Sequence, residues 1–332
     1  MAVVANSSPW KELFRAWPLW LMAMALDVRA DTAEAPPASA LAWLTEMRHA
    51  VAGLSYRGVV AYLKDKQVES FQLFHAAKSD SGVERERLVS MNSPLREVVR
   101  NAERVACYFP DTRTVFVESK PSSHSILLDV PDDLARLSRY YRVGLQGQEY
   151  VARRLSQVVD VEPRDNYRYG RRIWVDVDSK LPLKFETRAE DGRLVEQLVF
   201  TALDIESTIP ERELESSIQT DSFQWQVSRR ESLPLDSLRW TLHGVPEGFQ
   251  IISYTRLKRP PNDRAVEHIL LSDGFSSVSI YIEGRKEGTL REHPKKLGAI
   301  HAHSLMLGDF RITVMGEVPE KTVLAIAQGL HF

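Results

Sequence analysis

From Tyr56 onward the apolar residues of this chain recur at every second position, in short runs cut repeatedly by polar turns. Alternation of that kind puts successive side chains on opposite faces of an extended strand. Short strands joined by short turns pair with their sequence neighbours, so the pattern predicts an antiparallel meander. Gly58-Val-Val-Ala-Tyr-Leu63 and the run 68–75 flank the polar Lys64-Asp-Lys66, which predicts a hairpin. Further strands are expected over 83–91, 96–101, 104–109, 114–118, 148–160 and 169–178. The runs 183–188 and 194–204, around Asp191-Gly192, give another hairpin.

Helical spacing is confined to three places. Ser39 stands as an N-cap before Leu41, Leu44, Met47, Val51 and Leu54, a single apolar stripe that ends at 53–55. Pro131-Asp132-Asp133 has the Pro and acidic residues of a helix start, and that helix should run to about Tyr140. A terminal helix is expected over 319–330, with Val323, Ile326, Ala327 and Leu330 on one side.

The stretch 206–222 is polar, carries Pro210 and the acidic Glu211, Glu213 and Glu215, and lacks a sustained period, so it reads as an inter-domain linker and hinge. A second domain, 223–332, follows with strands over 240–242, 249–257, 266–272, 276–283, 299–307 and 310–316. The fold class is therefore α+β, mostly antiparallel β, in two sheet-dominated domains.

The N-terminus has a different character. Lys11 and Arg15 precede an apolar run over 16–26, and Val28-Arg-Ala30 follows with modest side chains at the positions a signal peptidase inspects. This is the pattern of a secretory leader over 1–30, too short to span a bilayer comfortably. An Ala/Pro-rich tether, 31–38, comes next, and the first domain then occupies the rest of 31–205. Export places the protein in the periplasm, away from ATP and reduced nicotinamide.

Composition removes most chemistries. Lys and Arg number 43 against 45 Asp and Glu, a net charge of −2, with no long basic block, which argues against nucleic acid as a partner. The single cysteine, Cys107, forms no internal disulfide and supports no multi-cysteine zinc or iron–sulfur site; it reads as a small buried hydrophobe. No phosphate-cradling loop, dinucleotide fingerprint, HExxH or nucleophile elbow occurs, so no cofactor and no catalytic residue is expected. His301 and His303 would share a strand face, but no third ligand stands out, and polar surface is the simpler reading. Glu84-Arg-Glu-Arg87 reads as cross-strand pairs on a solvated face.

What remains is apolar surface on sheets. An antiparallel sheet left unclosed and covered by one or two helices offers an interior that an acyl chain can fill. Binding there comes from area, about 0.8 kcal/mol per buried methylene, and needs no polar triad. Tyr62, Phe71, Leu73, Phe116 and Phe185 are the candidate lining of such a pocket in the first domain. Tyr254, Arg256, Lys258 and Arg259, in a strand-to-loop stretch of the second, are candidates for contact with a partner.

An ordered set of motifs resembles the RseB/MucB family. Tyr56-Arg-Gly-Val-Val-Ala-Tyr62, Glu84-Arg-Glu-Arg-Leu88, Arg96-Glu-Val-Val-Arg100, Tyr167-Arg-Tyr-Gly170 and Asp178-Ser-Lys-Leu-Pro-Leu183 carry it in the first half. Val245-Pro-Glu-Gly-Phe249, Ser272-Asp-Gly-Phe-Ser-Ser-Val-Ser-Ile-Tyr-Ile282 and Val314-Met-Gly-Glu-Val-Pro319 continue it. One departure is the turn Met91-Asn-Ser-Pro94, where the family often has Asp-Gly; Asn and Pro still suit a turn. The resemblance implies an N-terminal domain like the lipoprotein carriers LolA and LolB, an unclosed barrel with helices, and a smaller C-terminal domain that contributes much of the partner contact. It implies a periplasmic regulator of the envelope-stress sigma factor that binds the periplasmic domain of an RseA- or MucA-like anti-sigma factor and shields it from site-1 proteolysis. Lipid or lipopolysaccharide would release that partner, and homo-oligomers are expected. A rival reading keeps the first-domain fold but makes the chain a periplasmic lipid or lipoprotein carrier.

Overall fold

Ser39 accepts a hydrogen bond from the Ala42 amide at 3.1 Å and opens helix α1 (Ala40–Gly53), satisfying a donor that every helix start leaves over. Its buried side is Trp43, Leu44, Met47 and Ala50, with Leu41 and Val51 at the margin. The computed structural model describes residues 39–78, 84–92, 95–119, 133–206, 208–259, 264–284 and 295–332; the expected leader, the tether, Pro131 and Asp132 lie outside the described residues.

Strands β1 (Ser55–Lys64) and β2 (Gln67–Ala76) turn through Asp65 and Lys66, both at positive φ (48° and 65°), as a two-residue hairpin turn of this hand requires. The meander continues through β3 (Arg85–Ser90), β4 (Glu97–Asn101), β5 (Arg104–Phe109) and β6 (Thr114–Ser119). Helix α2 (Leu134–Tyr140), capped by Asp133, runs straight into β7 (Tyr141–Val151), so that strand begins earlier than the alternation suggests. Then β8 (Arg154–Pro163), β9 (Gly170–Asp176), β10 (Pro182–Arg188) and β11 (Leu194–Glu206) bring the chain back to β1. The antiparallel order is β7-β8-β9-β10-β11-β1-β2-β3-β4-β5-β6, and no ladder joins its two ends among the described residues, which leaves the sheet unclosed.

Strand β12 (Gln224–Ser232) belongs to two sheets. Over 224–228 it pairs in parallel with β6, and over 229–232 it pairs antiparallel with β14 (Gln250–Arg259). A short ribbon joins β13 (Thr241–Leu242) to the terminal β20 (Leu330–His331). The second sheet continues from β14 through β15 (Arg264–Ser272), β16 (Ser277–Gly284) and β19 (Phe310–Gly316) to β18 (Ile300–Leu307) and β17 (Lys295–Leu297). Helix α3 (Glu320–Gln328) buries Val323, Ile326 and Ala327 against Ile280, Ile312 and Val314. In the first lobe α1 and α2 cover Val159, Val161, Ile173 and Val175. Each such aliphatic side chain contributes about 1.5–3 kcal/mol by leaving water.

The expected linker is held down over much of its length. Ile209 and Leu214 are buried against Phe74 and Ala76, Arg57 pairs with Glu206 (2.7 Å) and Glu213 (3.4 Å), and Arg85 pairs with Glu211. Arg87 grips Glu97 and the hydroxyl of Ser217. The run Glu84–Arg87 is therefore not a solvated face: the acidic segment 206–217 lies over Arg85 and Arg87, and Glu86, on the other face of the strand, is buried against its in-register neighbours His75 and Arg100.

Candidate functional site

A cavity of about 650 Å³ lies between the two lobes. Register explains its floor. Ile173, Phe185, Leu198 and Tyr62 are in-register neighbours across β9, β10, β11 and β1, and they form an apolar row. Two residues along, Arg171, Thr187 and Glu196 form a polar row on the same face. Val60, Phe71 and Leu88 extend the apolar side, while Phe275, Ser276, Ser279, Tyr281 and Met315 supply the opposite wall from the second lobe. Arg171 is already engaged by Thr187 and by Glu317 at 3.2 Å. Burial, then the charge and hydrogen bond of Glu196, pushes the Tyr62 phenol well above its ordinary value, so it is a neutral donor here.

One buried node fixes the far side of this cavity. Arg168, fully enclosed, donates Nε to Asp273, Nη1 to Asp165 and Nη2 to the Glu247 carbonyl. Its guanidinium lies 4.8 Å from the Phe249 ring centre and 5.1 Å from that of Tyr140. The Tyr141 hydroxyl donates to the same Asp273 oxygen at 2.8 Å. The other Asp273 oxygen accepts the amides of Phe275 (2.9 Å) and Ser276 (2.8 Å), two residues of the cavity wall. A single carboxylate thus ties the first lobe to the turn that lines the cavity. A Cβ at Gly248, whose φ is 95°, would sit 2.8 Å from Arg168 Nη2 and the Tyr140 ring, so glycine is required there.

At the opposite end the lobes meet more lightly. Glu196 accepts the Ala299 amide at 2.7 Å, and Asp65 accepts the Gly298 amide at 2.8 Å.

Of the residues singled out in the sequence, Tyr62, Phe71 and Phe185 line the cavity. Leu73 does not: it is wholly buried in the core with Val60 and Trp174. Phe116 does not either; it is 46% exposed on β6, far along the sheet from β10, with its ring edge-on to Phe109. Alternation fixes a face, not a position along the sheet. The cavity is also not enclosed by the first lobe alone, since the second lobe supplies a wall. Of the residues missed in the first lobe, Val60 and Leu198 follow from Tyr62, and Ile173 from Phe185, by alternation and register, while Leu88 and the polar row of Arg171, Thr187 and Glu196 were not among the residues expected; those of the second lobe have no local signal.

In the second lobe Tyr254 is buried with its hydroxyl on Glu267 at 2.7 Å, because its strand position faces the core, so it is not a surface contact. Arg256 pairs with Glu231 at 3.5 Å and Lys258 is exposed. The Arg259 side chain lies outside the description. His301 turns Nδ1 to the Val318 carbonyl at 2.9 Å. His75, Glu84 and Glu86 bring ligand-type atoms within 4.8 Å of one another, but Arg100 Nη1 sits at 3.1 Å from Glu84 and 3.0 Å from Glu86, so a guanidinium is the cation of that cluster. Cys107 is half-buried, and burial pushes its thiol up, away from reactivity.

Residues 39–218 match the model of the MucB/RseB N-terminal domain, and residues 234–331 that of the MucB/RseB C-terminal domain. The chain belongs to the MucB/RseB family. It is 28% identical over 309 residues to the sigma-E factor regulatory protein RseB of Escherichia coli K12, covering 90% of this chain and 92% of that one. Identity to the sigma factor AlgU regulatory protein MucB of Pseudomonas aeruginosa is 27% over 316 residues, 94% of each chain. Solved MucB structures share the fold. That of MucB in complex with MucA(peri) gives a TM-score of 0.67 at 25% identity, covering 88% of this chain and 98% of that one. The Pseudomonas aeruginosa MucA/MucB complex gives 0.68 at 26%, with the same coverage. These MucB/RseB relatives carry regulatory names, not enzymatic ones.

Proposed function

We propose that this chain is a periplasmic negative regulator of a sigma-E-type stress response. It binds the periplasmic domain of a MucA- or RseA-like anti-sigma factor, restrains its site-1 proteolysis, and lets go when an acyl chain occupies the inter-lobe cavity. The observation that carries the reading is the likeness, at 25% identity and over 98% of that chain, to MucB solved with MucA(peri). The lipid arm is supported by the cavity: at about 650 Å³ it falls within the roughly 300–1,000 Å³ of ligand sites, with an apolar row on its floor bordered by the polar row of Arg171, Thr187 and Glu196. Coupling is supported by the Asp273 turn, which lines the cavity and holds the lobes in one arrangement. Partner and lipid then favour different arrangements, and each lowers the other's affinity.

The test is a titration of the leaderless chain with a purified MucA-type periplasmic domain, with and without a lipid A-type ligand. Binding should weaken about 5–150-fold with lipid, the usual span of such coupling. Leu198→Trp, which puts an indole into the apolar row where an acyl chain would lie, should keep partner binding and weaken the lipid effect. Absence of partner binding removes the regulator, and lipid-bound protein without a partner is the outcome a carrier would give. Affinity unchanged by lipid removes the switch.

A further inference from the structure

Strand β12 presents an unusual face. Trp225, Val227 and Arg229 alternate along it on one side, and they are exposed, Trp225 at 49% and Val227 at 41%. Directly across from Arg229 on β14 stands Lys258, also exposed. Like charges opposite one another destabilise a ladder, and neither cation has a carboxylate partner among the described residues. Their neighbours do: Arg230 pairs with Glu118 and Arg256 with Glu231. Charge matching between β12 and β14 fails at this rung, on the same strand face as an exposed indole four residues away.

We propose that Trp225, Val227, Arg229 and Lys258 form a docking stripe for an extended acidic segment of the protein partner. This rests on the reading of the chain as an anti-sigma-factor binder and names a surface for it. An aliphatic or aromatic side chain of the segment packs on Trp225 and Val227, and its carboxylates meet Arg229 and Lys258. Aromatic and arginine side chains are the usual anchors of such contacts. The stripe runs about 13 Å from Trp225 to Arg229 at strand spacing, a length that suits four or five residues of peptide. Two cations and one indole are too few to hold a chain of this size on an anionic bilayer. Because β12 is paired into both sheets, a segment lying along it touches both lobes and stabilises their present arrangement.

The experiment titrates the MucA-type periplasmic domain into the leaderless wild-type chain, Trp225→Ala, and the double variant Arg229→Gln/Lys258→Gln, at stepped NaCl concentrations. Arg229 and Lys258 are exposed and unpaired with carboxylates among the described residues, so the double variant should melt like the wild type, whereas Trp225→Ala also gives up the edge-on contact of its ring with Tyr108 at 6.3 Å and should melt slightly lower. The double variant should bind about tenfold more weakly at low salt, and its affinity should fall less steeply as salt screens the remaining charges. Trp225→Ala should weaken binding about tenfold and leave the salt dependence unchanged. Wild-type affinity and salt slope in both variants would overturn the stripe and leave the partner reading standing; no binding by the wild type takes down both. Sedimentation with phosphatidylglycerol vesicles that requires Arg229 and Lys258, with partner binding untouched, would also overturn it, in favour of a membrane face.

Discussion

Asp273→Asn removes the charge at the lobe junction and sets an amide Nδ2 donor against the Arg168 Nε–H and the Tyr141 hydroxyl, whose hydrogen bonds the carboxylate oxygen accepted. The asparagine oxygen still accepts the Phe275 and Ser276 amides, and the side-chain volume is unchanged. What goes is the counter-charge of Arg168, in a pair where both side chains are fully enclosed. Asp165 remains beside the guanidinium but is one-third exposed and compensates only in part. Breaking a buried pair by removing one partner costs about 3–5 kcal/mol, because a desolvated charge is left behind. At roughly 2 °C per kcal/mol for a chain of this size, the melting temperature should fall by about 6–10 °C. Arg168→Met should cost a similar amount, since it strands the carboxylate instead. The double variant Arg168→Met/Asp273→Asn leaves neither charge unmatched, so its cost should be well below the sum of the two, by about 2 kcal/mol or more. Calorimetry of the four proteins gives the cycle, and in Asp273→Asn the second lobe should melt as a separate transition. Single variants that each cost less than about 1 kcal/mol, or that add, would refute the claim that this pair holds the lobes together.

Gly248→Ala should destabilise the chain by about 1–3 kcal/mol in urea unfolding, since the residue is at φ 95° and its new methyl meets Arg168 and Tyr140. Burial works to raise the Glu97 carboxyl, but hydrogen bonds from Arg87 and Ser217 outweigh it and hold it low. Its contribution to holding down residues 211–217 is therefore complete above the ordinary value of 4.5 and is lost as pH falls through the depressed one; proteolysis of that segment should rise over this acid window, and Glu97→Gln should reduce the pH dependence, leaving the part carried by the Arg57 and Arg85 ion pairs. By hydrogen exchange, the amides of Gly298 and Ala299 should open at lower free energy than those of Phe275 and Ser276.

Most strands were legible because one face of each is apolar and buried; β19 and its neighbour β16 alternate over almost the expected residues. β12 was not, for a physical reason: its apolar residues, Trp225 and Val227, face water, so the usual sign of the alternation is reversed. The acidic stretch 206–215 and the arginines of β3 each look like solvated surface when read alone. Their complementarity is tertiary, and only the fold brings Arg85 to Glu211. Tyr62 and Phe185 were recoverable for the same reason as the strands, since they lie on the inward face of well-patterned elements. Arg168 and Asp273 sit in two motifs 105 residues apart, and nothing local to either shows that one is the other's counter-ion.

The two ends of the lobe interface differ in kind, and that difference decides how the cavity can open. At the Asp273 end a desolvated ion pair is backed by aromatic rings and by two amides capped on the same carboxylate. At the other end, two backbone amides of the turn between β17 and β18 rest on Glu196 and Asp65. A hydrogen bond to a charged group contributes about 1.5–3 kcal/mol when it is kept from water, and Asp65 is exposed, which puts its bond at the weak end of that span. Separating Arg168 from Asp273 costs more than releasing either contact, and water entering at Asp65 recovers part of what is lost there but nothing at the enclosed node. The lobes should therefore part at Gly298 before they part at Asp273, with the Arg171–Glu317, Tyr169–His301 and Thr322–Tyr167 contacts also having to yield. A ligand entering by that route meets Glu196 first and the apolar row of Leu198 and Phe185 next. The Asp273 turn is then the last part of the wall it touches, and the enclosed one among the contacts that hold the lobes.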